Sequence, residues 1–258
     1  MQAHDLALIT DAIRMAGRVA TSFVGPTAQR WDKPGGAGPV TEADLAVNDL
    51  LETVLRGARP DYGWLSEETD DTSERLDQDT VFIVDPIDGT RSFVEGSRTW
   101  AHSIGIAHRG QITAAAVYLP LRDRLYTASL GGGAFLNGVP IRVSAGGPLE
   151  ATNVLATKPI MDPKFWPSGV PDFVRSHRPS LAYRLALVAE GAFDAMLTFR
   201  PSWEWDIAAG ALIVSEAGGT CTDRGGRPLL FNNPQPTLDG VIAAGDGVHG
   251  RLLGALDA

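Results

Sequence analysis

The sequence predicts an α/β protein, with an α+β N-terminal part over residues 1–146 and an alternating α/β part over 147–258. Three observations lead there. Two segments with apolar residues at helical spacing open the chain, strand-forming runs joined by short turns fill its middle, and beyond residue 147 strands and helices alternate. A chain of 258 residues buries enough apolar surface to fold without disulfide staples. No repeat, low-complexity tract or long linker interrupts it, so the two parts are expected to share a tight interface.

Leu6, Ile9, Ile13, Ala16 and Ala20 recur at helical spacing and predict an amphipathic helix over 4–23. Residues 25–39, GPTAQRWDKPGGAGP, carry enough Gly and Pro to predict a loop. A second helix is expected to start at Thr41, an N-cap residue ahead of EADLAVNDLLETVL. Strands are predicted at 62–66 (YGWLS) and 81–85 (VFIVD), then at 102–108, 113–119 and 124–129, where β-branched and aromatic residues collect. GGGAFLNGVPIRV reads as a hairpin turning at Asn137-Gly138. Past 147, TNVLAT, FDAMLTF and GVIAAG read as strands. SLAYRLALVAEG, the segment 203–219 ending at paired glycines, and the C-terminus read as helices.

Acids outnumber Lys and Arg by 31 to 22, and the net charge of -9 disfavours nucleic-acid polymers and anionic membranes as partners. A small phosphorylated metabolite fits, provided a local cation receives it. The lone Cys221 excludes an internal disulfide and a cysteine-rich zinc site, and suits a reducing compartment. Charges at Asp5, Asp11, Arg14 and Arg18 break the N-terminal apolar residues too often for a signal peptide or membrane span, so the expected location is the cytoplasm.

VFIVDPIDGTRSF, residues 81–93, ends an apolar run in two acids, Asp85 and Asp88. DPIDGT has the composition of a turn. It also stands at the carboxyl end of a strand, where α/β folds place ligands, and Gly89-Thr90 then offers backbone N–H groups to an anion. Glu67 follows another strand and Asp206 opens an apolar helix. Each has a plain alternative, Glu67 and Glu68 as solvated loop acids and Asp206 as a helix N-terminal acid. Together, Glu67, Asp85, Asp88, Asp206 and the Ile87 carbonyl form an all-oxygen donor set. With no His or Cys beside them, this favours Mg²⁺ or Mn²⁺ over Zn²⁺. Such ions would offset the acids, receive a phosphate dianion and activate water for phosphomonoester hydrolysis.

These residues resemble the inositol monophosphatase superfamily of Mg²⁺-dependent, lithium-sensitive phosphatases. The matching segments are Ser66-Glu67-Glu68, Val84-Asp85-Pro86-Ile87-Asp88-Gly89-Thr90, Trp205-Asp206-Ile207-Ala208-Ala209-Gly210 and PVTEAD at 39–44, in order across nearly the whole chain. The resemblance implies a layered αβαβα sandwich, two or three Mg²⁺ per site with Mn²⁺ as a substitute, and a homodimer. By similarity, Glu67, Asp85 and the Ile87 carbonyl would hold one metal, Asp85, Asp88 and Asp206 a second, and Glu67 with waters a third. The Gly89 and Thr90 amides would cradle phosphate. The Asp44–Thr90 pair with Glu67 would orient and deprotonate the attacking water, and Asp44 also suits the early turn of the helix begun at Thr41. Lys33 resembles a lysine of the family's mobile loop near the metals; as a lone loop lysine it is expected to be solvated.

For the ester, LSEE, the helix SLAYRLALVAEG and WEWD resemble the branch that removes the 3′-phosphate from 3′-phosphoadenosine 5′-phosphate, which would tie the protein to sulfur assimilation. On that frame Arg184 takes the place of a phosphate-contacting lysine, with an exposed helix arginine as the alternative. Arg200 is a second candidate contact, Glu204 a third, and Trp203 or Trp205 a candidate stacking surface for a base or else core. Phe199 stands where the family has its inositol-contacting glutamate. Inositol 1-phosphate and histidinol phosphate are the alternative substrates. Fructose 1,6-bisphosphatase, with its longer chain, and haloacid-dehalogenase phosphatases, with acids two apart, fit less well. An alternative of another class is an interaction protein in transcription antitermination, as one bacterial relative is.

Overall fold

A computed structural model describes residues 2–33, 35 and 38–257. The first helix, α1 (Gln2–Ser22), leads to a short ribbon of β1 (Arg30–Asp32) and β2 (Pro39–Thr41), and then to α2 (Glu42–Ala58). Next come β3 (Gly63–Ser66), β4 (Thr80–Asp88), the short α3 (Thr90–Val94), β5 (Ala101–His108), β6 (Gln111–Leu119), β7 (Arg124–Ser129), β8 (Gly133–Leu136) and β9 (Val139–Pro140). The C-terminal part runs β10 (Asn153–Ala156), β11 (Val174–Ser176), α4 (Leu181–Ala189), β12 (Ala195–Thr198), β13 (Ser202–Trp203), α5 (Glu204–Glu216), β14 (Gly219–Thr222), β15 (Thr237–Leu238), β16 (Val241–Gly245) and α6 (Asp246–Asp257).

Two sheets organise these elements. The larger has the order β3-β4-β5-β6-β7-β8-β9, antiparallel throughout except for the parallel β3–β4 pair. The smaller has the order β11-β10-β12-β16-β14, with β11, β10 and β12 parallel. Side-chain alternation along β4 sets the layers, because successive strand residues face opposite sides. Phe82 and Val84 join Ile9, Ile13, Leu51 and Leu55 of α1 and α2, while Val81 and Ile83 join Leu185 and Ile213 of α4 and α5. Met196, Val241 and Ala243 of the small sheet close the far side of α4 and α5, and Leu197 and Ile242 face Val248 and Leu252 of α6. The result is the expected αβαβα sandwich. Because α5 is covered on both sides, it is apolar around nearly its whole circumference, as a helix buried between two sheets must be.

Local departures from the predicted elements have identifiable causes. The predicted loop 25–39 contains the β1–β2 ribbon, hidden in the sequence by its Gly and Pro residues. Residues 34, 36 and 37 of that loop lie outside the described residues. The strand expected to stop at Asp85 continues to Asp88, and its pairing slips there: Asp85 faces Ser103 and Asp88 faces Ala101, so three steps on β4 span two on β5. Asn137 (φ 49°) and Gly138 (φ 80°) turn the predicted hairpin, both left-handed as a type I′ turn requires. Short β11, β13, β14 and β15 lacked a readable pattern. Among the described residues, no helix is long and apolar enough to cross a membrane.

Candidate metal centre

Irregular pairing at the end of β4 turns both of its acids to one place. Asp85 and Asp88 are buried there, and Asp206 arrives in the first turn of α5; one oxygen from each lies within 4.8 Å of the others. Asp88 Oδ2 accepts from Ser180 Oγ (2.6 Å) and from Ala182 N (2.6 Å) at the N-terminus of α4, which fixes its orientation. Among the described residues, neither carboxylate oxygen of Asp85 has a hydrogen-bond partner, although both are buried. An unpartnered buried carboxylate is costly. Burial first, then the charges of Glu67, Asp88 and Asp206, push the Asp85 carboxyl well above its ordinary range. Asp206 is raised by burial and by Asp88 and Glu67, and Asp88 is pushed up to about 6, chiefly by burial. Three converging hard-oxygen donors, one of them unpartnered, fit a divalent cation.

The chain leaves the acids through Gly89, whose φ of 98° turns β4 into α3. Thr90 then places Oγ1 3.0 Å from Asp44 Oδ1 and 3.2 Å from the Ile87 carbonyl, and its single hydrogen can serve only one of them at a time. Asp44 Oδ2 accepts from Thr41 N at 2.8 Å and from the Thr41 hydroxyl, closing the capping box of α2. Asp44 is wholly buried, and that burial pushes its carboxyl up to about 6 against the pull of these hydrogen bonds.

Glu67 stands outside the tight triad, but its charge is felt by Asp85, Asp88, Asp206 and Asp44. It is held at the end of β3 by Glu67 N donating to the Val84 carbonyl, beside Ser66 Oγ bonded to Asn48 Oδ1 at 2.7 Å. Lys33, expected to be solvated, instead places Nζ 2.8 Å from Glu67 Oε1 and 2.7 Å from Glu68 Oε1. Burial lowers the lysine's pKa, yet the two glutamates outweigh it and leave it above its ordinary value. Burial and the Glu67 charge raise Glu68 to about 7.

The substrate-side expectations divide. Arg184 is buried rather than exposed, with Nε donating to the Arg178 carbonyl and Nη2 3.4 Å from that of Pro179 and 2.9 Å from His177 Nε2. Burial lowers it to about 10 while Asp88 and Asp206 pull it up, which places its charge beside the triad. Arg200 is exposed at the end of β12, and its charge reaches Asp206 and Arg184. Glu204, expected as a substrate contact, is wholly buried and accepts from Asn232 N (2.6 Å), Asn233 N (2.9 Å) and Asn233 Nδ2 (2.7 Å). Arg75 anchors the same turn through Asn232 Oδ1 and the Asn233 carbonyl, so Glu204 is committed to the loop and not to a ligand. Trp203 and Trp205 stack on each other, centroids 4.7 Å apart.

Sequence reasoning missed His102. Wholly buried in β5 with Trp100 edge-on at 5.4 Å, it contacts the Pro86 carbonyl through Nδ1 and so pins the centre of the Asp85–Asp88 segment. Burial lowers it to about 4, so the ring is neutral and Nδ1 carries the donated hydrogen. A His near the start of a mostly apolar strand was the available signal.

The sequence profile of the Inositol monophosphatase family matches residues 2–257. The chain belongs to this family. Its relatives include an inositol-1-monophosphatase of Mesorhizobium japonicum, 33% identical over 96% of this chain and 94% of the relative. The Nus factor SuhB of Escherichia coli is 32% identical over 93% and 91% of the two chains. Among solved structures, the IMPase of Thermotoga maritima superposes with a TM-score of 0.83 at 28% identity, covering all of this chain and 97% of that one. Family members are metal-dependent phosphatases, and this protein is an enzyme hydrolysing phosphate monoesters.

Proposed function

We propose that this inositol monophosphatase family member is a Mg²⁺-dependent phosphatase of small metabolites, with Asp85, Asp88 and Asp206 as its central metal ligands and Glu67 and the Ile87 carbonyl completing the set. The observation that carries this reading is the Asp85 carboxylate, buried at the centre of the triad with no donor among the described residues. Bound divalent ions would supply compensation for the acids, a seat for the phosphate dianion and a more acidic water. All donors are oxygens, which supports Mg²⁺, with Mn²⁺ as a substitute.

In this reading the Gly89 and Thr90 amides hold phosphate oxygens, and Thr90 with Glu67 orients the attacking water. As the water oxygen closes on phosphorus, its proton passes to Thr90 Oγ1, whose own hydrogen moves to Asp44 Oδ1, 3.0 Å away. The P–O ester bond breaks and the alcohol departs, taking a proton from solvent. Asp44, raised to about 6, is basic enough to receive that hydrogen near neutrality. No phosphoenzyme forms.

For the ester we favour 3′-phosphoadenosine 5′-phosphate. The segment Ser180–Gly191 and two arginines near the triad, Arg184 and Arg200, support a substrate with a second phosphate. Arg184, tied to the 177–179 loop, would act mainly by its charge, and Arg200 by direct contact. Phosphate release from this ester, inositol 1-phosphate and histidinol phosphate, with Mg²⁺ and with chelator, tests both levels. A preference of about a hundredfold in kcat/KM, roughly 2.7 kcal/mol, supports the nucleotidase. A preference for either monophosphate removes that choice and keeps the phosphatase. A second reading, a partner in transcription antitermination, draws on likeness to the Nus factor SuhB; recovery of polymerase factors with the purified protein would support it.

A further inference from the structure

Arg75 joins two segments that each carry a candidate metal ligand, although it bonds to neither ligand. It belongs to the 3₁₀ turn Ser73–Asp77, which lies against the start of β3: a Cβ at Gly63 would stand 3.3 Å from Arg75 Cα. β3 leads directly into Glu67. On this side Arg75 Nε and Nη2 donate to the two carboxylate oxygens of Asp71, just past Glu67 and Glu68, at 2.6 and 2.8 Å. On the other side Nη1 donates to Asn232 Oδ1 at 2.6 Å and Nη2 to the Asn233 carbonyl at 2.9 Å.

The 232–233 turn carries the connection to Asp206. Its two backbone N–H groups and Asn233 Nδ2 all donate to the Glu204 carboxylate, and Glu204 N donates to the Pro236 carbonyl at 2.9 Å. Glu204 opens α5, and Asp206 lies in the same first turn. Asn232 holds a φ of 62°, a left-handed conformation that asparagine adopts more readily than most residues, and serves both partners, its N–H facing Glu204 and its Oδ1 facing Arg75. Arg75 and Glu204 are both buried, where charges persist only if hydrogen bonds meet them.

Such a bridge suits segments whose acids repel. Resting on the metal-centre reading, we propose that Arg75 is a positioning residue for the metal site: its planar fork fixes the separation between the Glu67 and Asp206 segments and so sets how tightly divalent ions are held. A lysine has no fork with which to serve Asp71 and the asparagines together.

Calorimetric titration of Mg²⁺ into the enzyme without substrate, beside kcat and KM for the preferred of the three esters above, tests this. Arg75→Lys should bind Mg²⁺ about tenfold more weakly, the low end of what supporting partners of metal ligands contribute. Its KM should stay within about twofold while kcat falls at limiting Mg²⁺ and recovers in excess. Asn232→Gly keeps the left-handed backbone and its N–H to Glu204 but loses the Oδ1 acceptor. It should show a smaller loss in the same direction, and it keeps the test open if the lysine variant fails to fold. Arg59→Ala is the control for lost stability alone: its pair with Asp5, at 2.9 Å, joins α1 to the end of α2 and bridges no two ligand-bearing segments, so Mg²⁺ affinity should not move. Unchanged Mg²⁺ affinity in folded Arg75→Lys and Asn232→Gly, or an equal loss in Arg59→Ala, would overturn the positioning role and leave the phosphatase intact. No saturable Mg²⁺ binding by the unaltered enzyme would overturn the metal-centre reading, and the positioning role with it.

Discussion

His102 should govern a large part of the protein's response to acid. In the unfolded chain a histidine titrates near 6.5, whereas burial lowers His102 to about 4 in the fold. Between those values the unfolded state binds a proton that the folded state refuses, so stability rises with pH through this window and is lost as pH falls from about 6.5 towards 4. The gap of about 2.5 units, at 1.36 kcal/mol each, gives about 3 kcal/mol, a sizeable share of a typical 5–15 kcal/mol stability. Asp44, Glu68 and the acid triad work in the opposite direction when metal is absent. Their raised values make the metal-free fold gain stability as pH falls from about 7 towards 4, so the whole-protein curve alone would conceal the histidine.

The comparison that isolates it is His102→Asn, which keeps an N–H for the Pro86 carbonyl and removes the titration. Urea unfolding of both proteins in chelator, at pH 7 and pH 4, yields two differences in free energy. Any packing defect of the variant is common to both and cancels. The variant should be relatively more stable at pH 4 than at pH 7 by about 3 kcal/mol. A difference unchanged between the two pH values would show that His102 is not held neutral by burial, and with it would go the account of how Pro86 is pinned.

Three further outcomes are expected. Asp85→Asn should abolish Mg²⁺-dependent phosphate release yet raise the melting temperature in chelator at pH 8, since it removes a buried charge with no donor among the described residues; scanning calorimetry checks the sign. Lys33→Ala should lower the Mg²⁺ concentration for half-maximal activity severalfold, because the lysine neutralises Glu67 and Glu68 in competition with metal; a Mg²⁺ titration of turnover measures it. Glu204→Gln should leave KM within about twofold but cost roughly 1–3 kcal/mol in urea unfolding, since backbone N–H groups of Asn232 and Asn233 lose a charged acceptor.

Much of the architecture was legible because the large sheet is covered on both faces. Its strands read as apolar runs and its helices as amphipathic or wholly apolar segments, whatever their tertiary neighbours. Asp85 and Asp88 were legible through motif and position, and Asp44 through its capping role at Thr41. Lys33, His102 and Glu204 were not. Their behaviour is decided by Glu67 and Glu68, by the Pro86 carbonyl and by the 232–233 turn, none of which is a neighbour in sequence. The burial of Arg184 was hidden for a related reason. Helical spacing cannot tell a solvent face from one that meets the 177–179 loop.

The electrostatic design explains why the acids come from separate elements. Asp44 sits on α2, Glu67 after β3, Asp85 and Asp88 on β4, and Asp206 on α5, so mutual repulsion opposes the packing of these elements against one another. Apolar contacts between α5 and the two sheets overcome that repulsion, and two glycines permit close approaches, Gly105 between β5 and α5 and Gly210 between α5 and α4: a Cβ at Gly105 would stand 3.3 Å from Ala208 Cβ, and one at Gly210 2.5 Å from Leu185 Cδ1. A side chain at Gly105 would push α5, and Asp206 with it, away from the sheet, and one at Gly210 would force α5 from α4, whose N-terminus holds Asp88. Gly210→Val should therefore weaken Mg²⁺ binding and turnover together, although the residue touches no donor atom. If Mg²⁺ affinity in that folded variant were unchanged, the triad would be set by its local turns rather than by the packing of the layers.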